Sequence, residues 1–182
     1  MNASVSKEIQ QAQEQLHTSS NSEHQADTTL TAVQIQDILD RAKQYAIDEE
    51  LDFAGGVPPK DAWALVSAGA AVLVDVRSNE ERKFVGHVPA GEHVAWATGT
   101  SLNRNPRFVK ELEIKLKNNK DQVVVLLCRS GKRSALAAEA ATKAGFTQVY
   151  NILEGFEGEL NEQQQRGDLG GWRHAALPWV QD

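Results

Sequence analysis

The sequence predicts an α/β fold in which helices cover the faces of a central parallel sheet. Three observations lead there. Residues 71–76, AVLVDV, and 122–128, QVVVLLC, are apolar runs without alternation, the pattern of strands buried on both faces. The segments around them carry apolar residues at helical spacing. Strand and helix then alternate along the chain, which is how parallel sheets are wound. With 182 residues, 41% of them hydrophobic, the chain has the size of one ordinary domain with a tail.

Residues 1–30 read as that tail. They hold no aromatic residue, eight apolar ones, and four acids against one lysine, too little apolar surface to offset the entropy lost on ordering. All eleven aromatics lie from Tyr45 onward. Val33, Ile35, Ile38, Leu39, Ala42 and Ala46 trace one helical face, with Thr29 or Thr31 as a cap, so residues 31–55 read as an amphipathic helix and linker. Gly55-Gly56-Val57-Pro58-Pro59 breaks the chain, and the main domain is expected over residues 56–182. Pro59 suits the start of a short helix ending before Gly69. After the first apolar run, Ser78 and Glu81 have the spacing of a capping box, and Gly86-His87-Val88-Pro89 is a turn. Residues 93–96 are apolar, and from about Pro106 to Lys117 a helix shows Phe108, Leu112 and Leu116 on one face. Beyond Cys128, RSGKR leads into the helix SALAAEAATKAG, closed by Gly145, and QVYNI is a last short strand.

Chemistry concentrates at the end of the second run. A strand that ends in cysteine, followed by a glycine loop and a helix start, puts sulfur where backbone N–H groups and the positive end of a helix dipole converge. Arg129, Lys132 and Arg133 add three cations within five residues of Cys128, in a chain of net charge −6. Both features favour the thiolate over the thiol. The bland reading is an inert buried cysteine beside a solvated turn, since free cysteine is among the most buried residues. The cations and Gly131 tip the balance toward a reactive, anion-binding thiol. His87 and His93 are the histidines considered as bases, and both read as structural. A loop that itself generates the thiolate needs no base.

At this point the residues resemble a family. Cys128-Arg129-Ser130-Gly131-Lys132-Arg133-Ser134 resembles the active-site loop of rhodanese-like sulfurtransferases. Leu73-Val74-Asp75-Val76-Arg77 with Glu81, then Gly86-His87-Val88-Pro89, resembles that family's first two signatures in order. Ala144-Gly145-Phe146, Val149-Tyr150-Asn151 and Leu153-Glu154-Gly155 resemble its final strand and the turn after it, and Gly171-Trp172 to Leu177-Pro178 its closing turn. The resemblance implies a single rhodanese-like domain, a parallel sheet with helices on both faces, and ping-pong sulfur transfer. Cys128 would take the outer sulfur of a small anionic donor such as thiosulfate, become a persulfide, and pass sulfur to cyanide, a thiol or a protein acceptor. Arg129 and Arg133 would orient the donor, with Ser130, Gly131, Lys132 and Ser134 completing the binding loop. Asp75, Arg77, Glu81 and His87 would be structural support. Three positions depart from the family: Arg82 stands where an aromatic is usual, Pro89-Ala90-Gly91 reverses the common Pro-Gly-Ala, and residues 156–170, FEGELNEQQQRGDLG, form an inserted loop. That loop is expected beside the active-site mouth, where it could select the acceptor.

A phosphatase or arsenate reductase is the main rival, because it also closes a cysteine loop with arginine. The rival pattern has five residues between Cys and Arg, whereas four separate Cys128 from Arg133 here, a smaller enclosure suited to sulfur. A non-catalytic interaction module and a redox sensor are weaker rivals: the cysteine and cations are present, and no second cysteine could resolve an oxidised thiol. The lone cysteine also excludes an internal disulfide and a multi-cysteine zinc site, and neither a metal nor a cofactor is expected. The acidic balance argues against nucleic-acid or anionic-membrane partners. No apolar run reaches the about 18 residues needed to span a bilayer, and the N-terminus lacks a secretory stretch, so a cytoplasmic location is expected.

Overall fold

The computed structural model describes residues 30–181. The expected tail falls on residues outside these, save Leu30. The first element, α1 (Ala32–Asp48), is capped by Thr31, whose hydroxyl accepts from the Gln34 N–H while the Gln34 side chain accepts from the Thr31 N–H. It buries Ile38, Leu39 and Ala42, but Val33, read as part of the same face, is exposed.

There follow β1 (Gly55–Val57), α2 (Pro59–Ser67), β2 (Val72–Asp75), α3 (Asn79–Val85), β3 (Glu92–His93), β4 (Ala97–Thr98), β5 (Asn103–Arg104), α4 (Phe108–Lys115), β6 (Val124–Leu127), α5 (Lys132–Lys143) and β7 (Val149–Ile152). The sheet runs β1-β7-β6-β2-β3, every neighbouring pair parallel, and β4 and β5 form a separate antiparallel pair. Among the described residues no helix is long and apolar enough to cross a membrane.

Alternation along β6 divides the core between the two faces. Val124, Leu126 and Cys128 join Phe108, Leu112 and the α5 alanines 137, 138 and 141 on one side. Val125 and Leu127 meet α1, Leu65 of α2, Phe156 and Trp172 on the other. Each strand is therefore apolar at consecutive positions because both of its faces are covered. Small side chains let α5 lie close above the sheet, and each large residue buried there contributes about 1.5 to 3 kcal/mol.

The structure differs from the expectations at several points. The Gly-Gly break is itself a strand: β1 begins at Gly55, one residue before the expected boundary, and pairs with β7. Both glycines are demanded by contact, since a Cβ at Gly55 would overlap the Ala42 carbonyl and one at Gly56 would meet the Tyr45 ring. α4 is shorter than the range 106–117, because an Asn105 turn precedes it and left-handed Lys117 and Asn118 follow it. α5 starts at Lys132, two residues ahead of the alanine-rich stretch, with Gly131 as a left-handed cap. The loop at 156–170 is not polar throughout. Phe156 is wholly buried beneath the sheet, and the exposed portion begins at Glu159.

Candidate active site

Cys128 is the first residue beyond β6, and its side chain is only 1% exposed. Its sulfur lies 3.1 Å from the Ser134 hydroxyl in the first turn of α5. That hydroxyl is also 3.2 Å from the Gly131 carbonyl and 2.6 Å from Oδ1 of Asn151 on β7. A serine has one proton to give. When it serves a sulfur anion, Asn151 must turn its amide N–H toward Ser134, so the three side chains form one coupled hydrogen-bond unit.

The loop is held from outside. The carbonyls of Cys128 and Arg129 accept from the N–H groups of Phe156 (2.8 Å) and Glu157 (2.9 Å). Each planar trans peptide sends its following N–H in the opposite direction, so the donors of Arg129 and Ser130 point away from residues 156 and 157. Among the described residues, no backbone oxygen accepts from the N–H groups of residues 129–134. With the positive φ of 86° at Gly131 and the twelve-residue α5 behind it, these donors make a receptive surface for negative charge.

The three loop cations have different surroundings. Arg133 makes a two-pronged pair with Glu81, at 2.8 and 2.5 Å, and both side chains are largely shielded from solvent. Burial by itself would raise the Glu81 carboxyl, but the Arg133 hydrogen bond, the Ser78 N–H and the nearby guanidinium charges hold it below its ordinary value. Burial likewise works against the Arg133 charge, and Glu81 reverses it. Lys132 reaches Glu159 at 3.4 Å in an exposed contact. Arg129 has no carboxylate partner among the described residues, and its Nε is buried without a hydrogen bond.

A second buried charge cluster braces the adjoining strand end. Arg77 grips Asp75 through Nη2 (2.7 Å), Nε and its backbone N–H, and donates to the Gly86 carbonyl at 3.0 Å. Both side chains are fully buried, and the guanidinium lies 3.9 Å over the Phe156 ring. Arg82, in the position where the family has an aromatic, adds a second cation on Asp75 at 2.9 Å. Burial opposes the Asp75 charge, yet Arg77 and then Arg82 hold the carboxyl below its usual range. Phe84, two residues beyond Arg82, is 67% exposed and lies outside the core.

The expected loop residues from Cys128 to Ser134 run from the strand end into α5, with Ser134 at the sulfur, and Glu81 joins them through Arg133. Asp75 and Arg77 stand behind. His87 contributes its backbone, which exchanges two 2.8 Å hydrogen bonds with Val180. The His93 ring donates to the Arg77 carbonyl at 2.8 Å, and burial lowers its affinity for a proton. Neither histidine bonds the sulfur. Sequence reasoning gave no site role to Asn151, Arg82 or Phe156. The signal for Asn151 was a single amide inside VYNI, a strand otherwise apolar and wholly buried.

Comparison with known proteins places the fold. The crystal structure of Rv0390 from M. tuberculosis is similar, with a TM-score of 0.63 and 42% identity over 71% of this chain and 99% of that one. The uncharacterised protein RP600 of Rickettsia prowazekii (strain Madrid E) is 36% identical over 115 residues, spanning 63% of this chain and 87% of the relative. Thiosulfate sulfurtransferase from Pseudomonas aeruginosa shares the fold alone, with a TM-score of 0.52 and 17% identity over 78% of this chain and 22% of that one. The family model of the rhodanese-like domain matches residues 58–162, and on that match, together with these relatives, the chain belongs to the rhodanese-like domain family.

Proposed function

We propose that the chain is a sulfurtransferase, carrying sulfane sulfur as a Cys128 persulfide from thiosulfate or a similar anionic donor to a thiol, cyanide or a protein acceptor. The observation behind this reading is the surroundings of the lone thiol, 3.1 Å from the Ser134 hydroxyl in a loop whose N–H groups are not spent on backbone oxygens. The Cys128 thiolate attacks the outer sulfur of thiosulfate, a new S–S bond forms, and sulfite leaves with the electron pair of the bond that breaks. Negative charge then rests on the persulfide, where fixed N–H dipoles stabilise it without reorganising.

Arg129, without a carboxylate partner among the described residues, holds the anionic end of the donor. Arg133 acts indirectly: its pair with Glu81 ties the start of α5 to α3 and fixes the loop. Neither histidine serves as a base toward the sulfur: the His93 ring is spent on the Arg77 carbonyl, and His87 makes no hydrogen bond with Sγ.

Intact mass tests the reading. Thiosulfate is expected to add one sulfur atom to the parent, released by a reducing thiol, and to add none to Cys128→Ser. Sulfur uptake by Cys128→Ser, or none by the parent, overturns it. Arg129→Ala is expected to lower the efficiency of loading by thiosulfate about ten- to a hundredfold, the equivalent of a lost charge-assisted hydrogen bond of about 1.5 to 3 kcal/mol. Its melting temperature stays that of the parent. Equal loading kinetics in parent and variant would remove Arg129 from donor binding.

A further inference from the structure

Beside the sulfur loop lies a cleft of about 250 Å³, bounded by α3, by the turn joining β4 to β5, and by Arg129. Its lining mixes two acids, Glu80 and Glu81, with the apolar Val85 and Leu102 and the Arg129 guanidinium. Glu81 is committed to Arg133 and to the Ser78 N–H. Glu80 has no such partner among the described residues, and its Oε2 is buried without a hydrogen bond. Arg129 Nε is in the same condition. The cleft therefore presents one acid and one cation that do not pair with each other.

Both side chains are partly exposed in the cleft and neither is paired among the described residues, so a ligand bearing both signs of charge is complementary to the two. Arg129 adjoins Cys128 in the chain, and Glu81 holds the other end of the same loop, so an occupant of this cleft lies against the sulfur loop.

We infer that the cleft receives the sulfur acceptor, and that the acceptor is a free amino-acid thiol of the cysteine or homocysteine class. Its ammonium rests on Glu80, its carboxylate on Arg129, and its methylene groups against Val85 and Leu102. This assignment rests on the sulfurtransferase reading. Ping-pong order makes it consistent with donor binding at Arg129, because sulfite departs before the acceptor enters. The acceptor thiol passes its proton to the outer sulfur of the Cys128 persulfide anion and, as the thiolate, attacks that sulfur. A bond forms between the two sulfurs, the bond to Sγ breaks with its electron pair returning to Cys128, and the proton stays on the transferred sulfur. No oxidant or reductant enters.

The test compares acceptors on the persulfide-loaded full chain. L-cysteine is expected to reach half-saturation at a concentration well below that for 3-mercaptopropionate, which lacks the ammonium, or cysteamine, which lacks the carboxylate. Glu80→Gln is expected to raise the half-saturating concentration of L-cysteine about tenfold, the scale of one lost charge-assisted contact, with less than a twofold change for 3-mercaptopropionate. Equal changes for both thiols, or none for cysteine, overturn the assignment. Calorimetric binding of S-methylcysteine reads the cleft without sulfur transfer. The parent is expected to bind it and Glu80→Gln to bind it about tenfold more weakly, and no binding by the parent overturns the inference. A parent that fails to load sulfur yet binds S-methylcysteine would instead refute the sulfurtransferase reading alone.

Discussion

Replacing Arg77 by methionine is expected to cost about 3 to 5 kcal/mol of stability at neutral pH, the range for removing one partner of a buried ion pair. For a domain of this size that is a fall in Tm of roughly 6 to 20 °C. The side chain is fully buried, so its loss leaves the equally buried Asp75 with Arg82 as its remaining cation, and leaves the Gly86 carbonyl without its donor. The pH dependence has a definite sign. Asp75 has a lower affinity for protons in the folded chain than its ordinary value of 3.8, so its contribution is present above that pH and is lost as pH falls below it. Methionine weakens that depression, and the gap between parent and variant should narrow on acidification. Urea unfolding at pH 7 and near pH 3 measures both effects. A loss below about 1 kcal/mol at pH 7, no more than an exposed pair is worth, would show that Arg82 alone suffices.

Gly155→Ala is expected to damage sulfur loading more than any other single methyl group added to the chain. Gly155 has φ of 66°, and a Cβ built there lies 2.6 Å from the Arg129 carbonyl carbon, the Cys128 carbonyl oxygen and the Ser130 nitrogen. All three are backbone atoms of the sulfur loop, with no flexible side chain to give way. The loop must move, and a displacement of about 1 Å at a reacting centre can cost on the order of a hundredfold in rate. Gly69→Ala separates this from simple backbone strain. Gly69 has a similar φ of 68° but open space around it, so alanine there costs about 1 to 2 kcal/mol and leaves loading intact. Loading rates by mass, with Tm for both variants, decide the matter. Equal loading by Gly155→Ala and the parent would mean that the loop tolerates displacement.

The parts of this fold that can be read from the sequence are those whose cause is local. Strands β2, β6 and β7 announce themselves because burial on both faces forces consecutive apolar residues. The Ser78 and Glu81 spacing carries its own hydrogen-bond geometry, and the loop from Cys128 to Ser134 is contiguous in the chain. What escapes has a distant cause. β1 holds two glycines beside Val57 and reads as a break, and it is a strand because it pairs with β7, with Ala42 and Tyr45 packed against the glycines. The sequence places Arg133 in the donor loop but not its pairing with Glu81, 52 residues away, which only the fold brings about. Asn151 looks like a flaw in an apolar strand, and its role depends on Ser134 from another element.

The sheet ends in two very short strands, three residues in β1 and two in β3, whereas β2, β6 and β7 have four each. An unpaired edge is where a foreign strand can be recruited, and one this brief offers few ladder bonds to a newcomer. On the β1 side the backbone of α1 packs against the face of the strand at Gly55. A strand added at either edge would find few backbone partners, so this sheet is poorly suited to growing sideways by recruiting a strand from another chain.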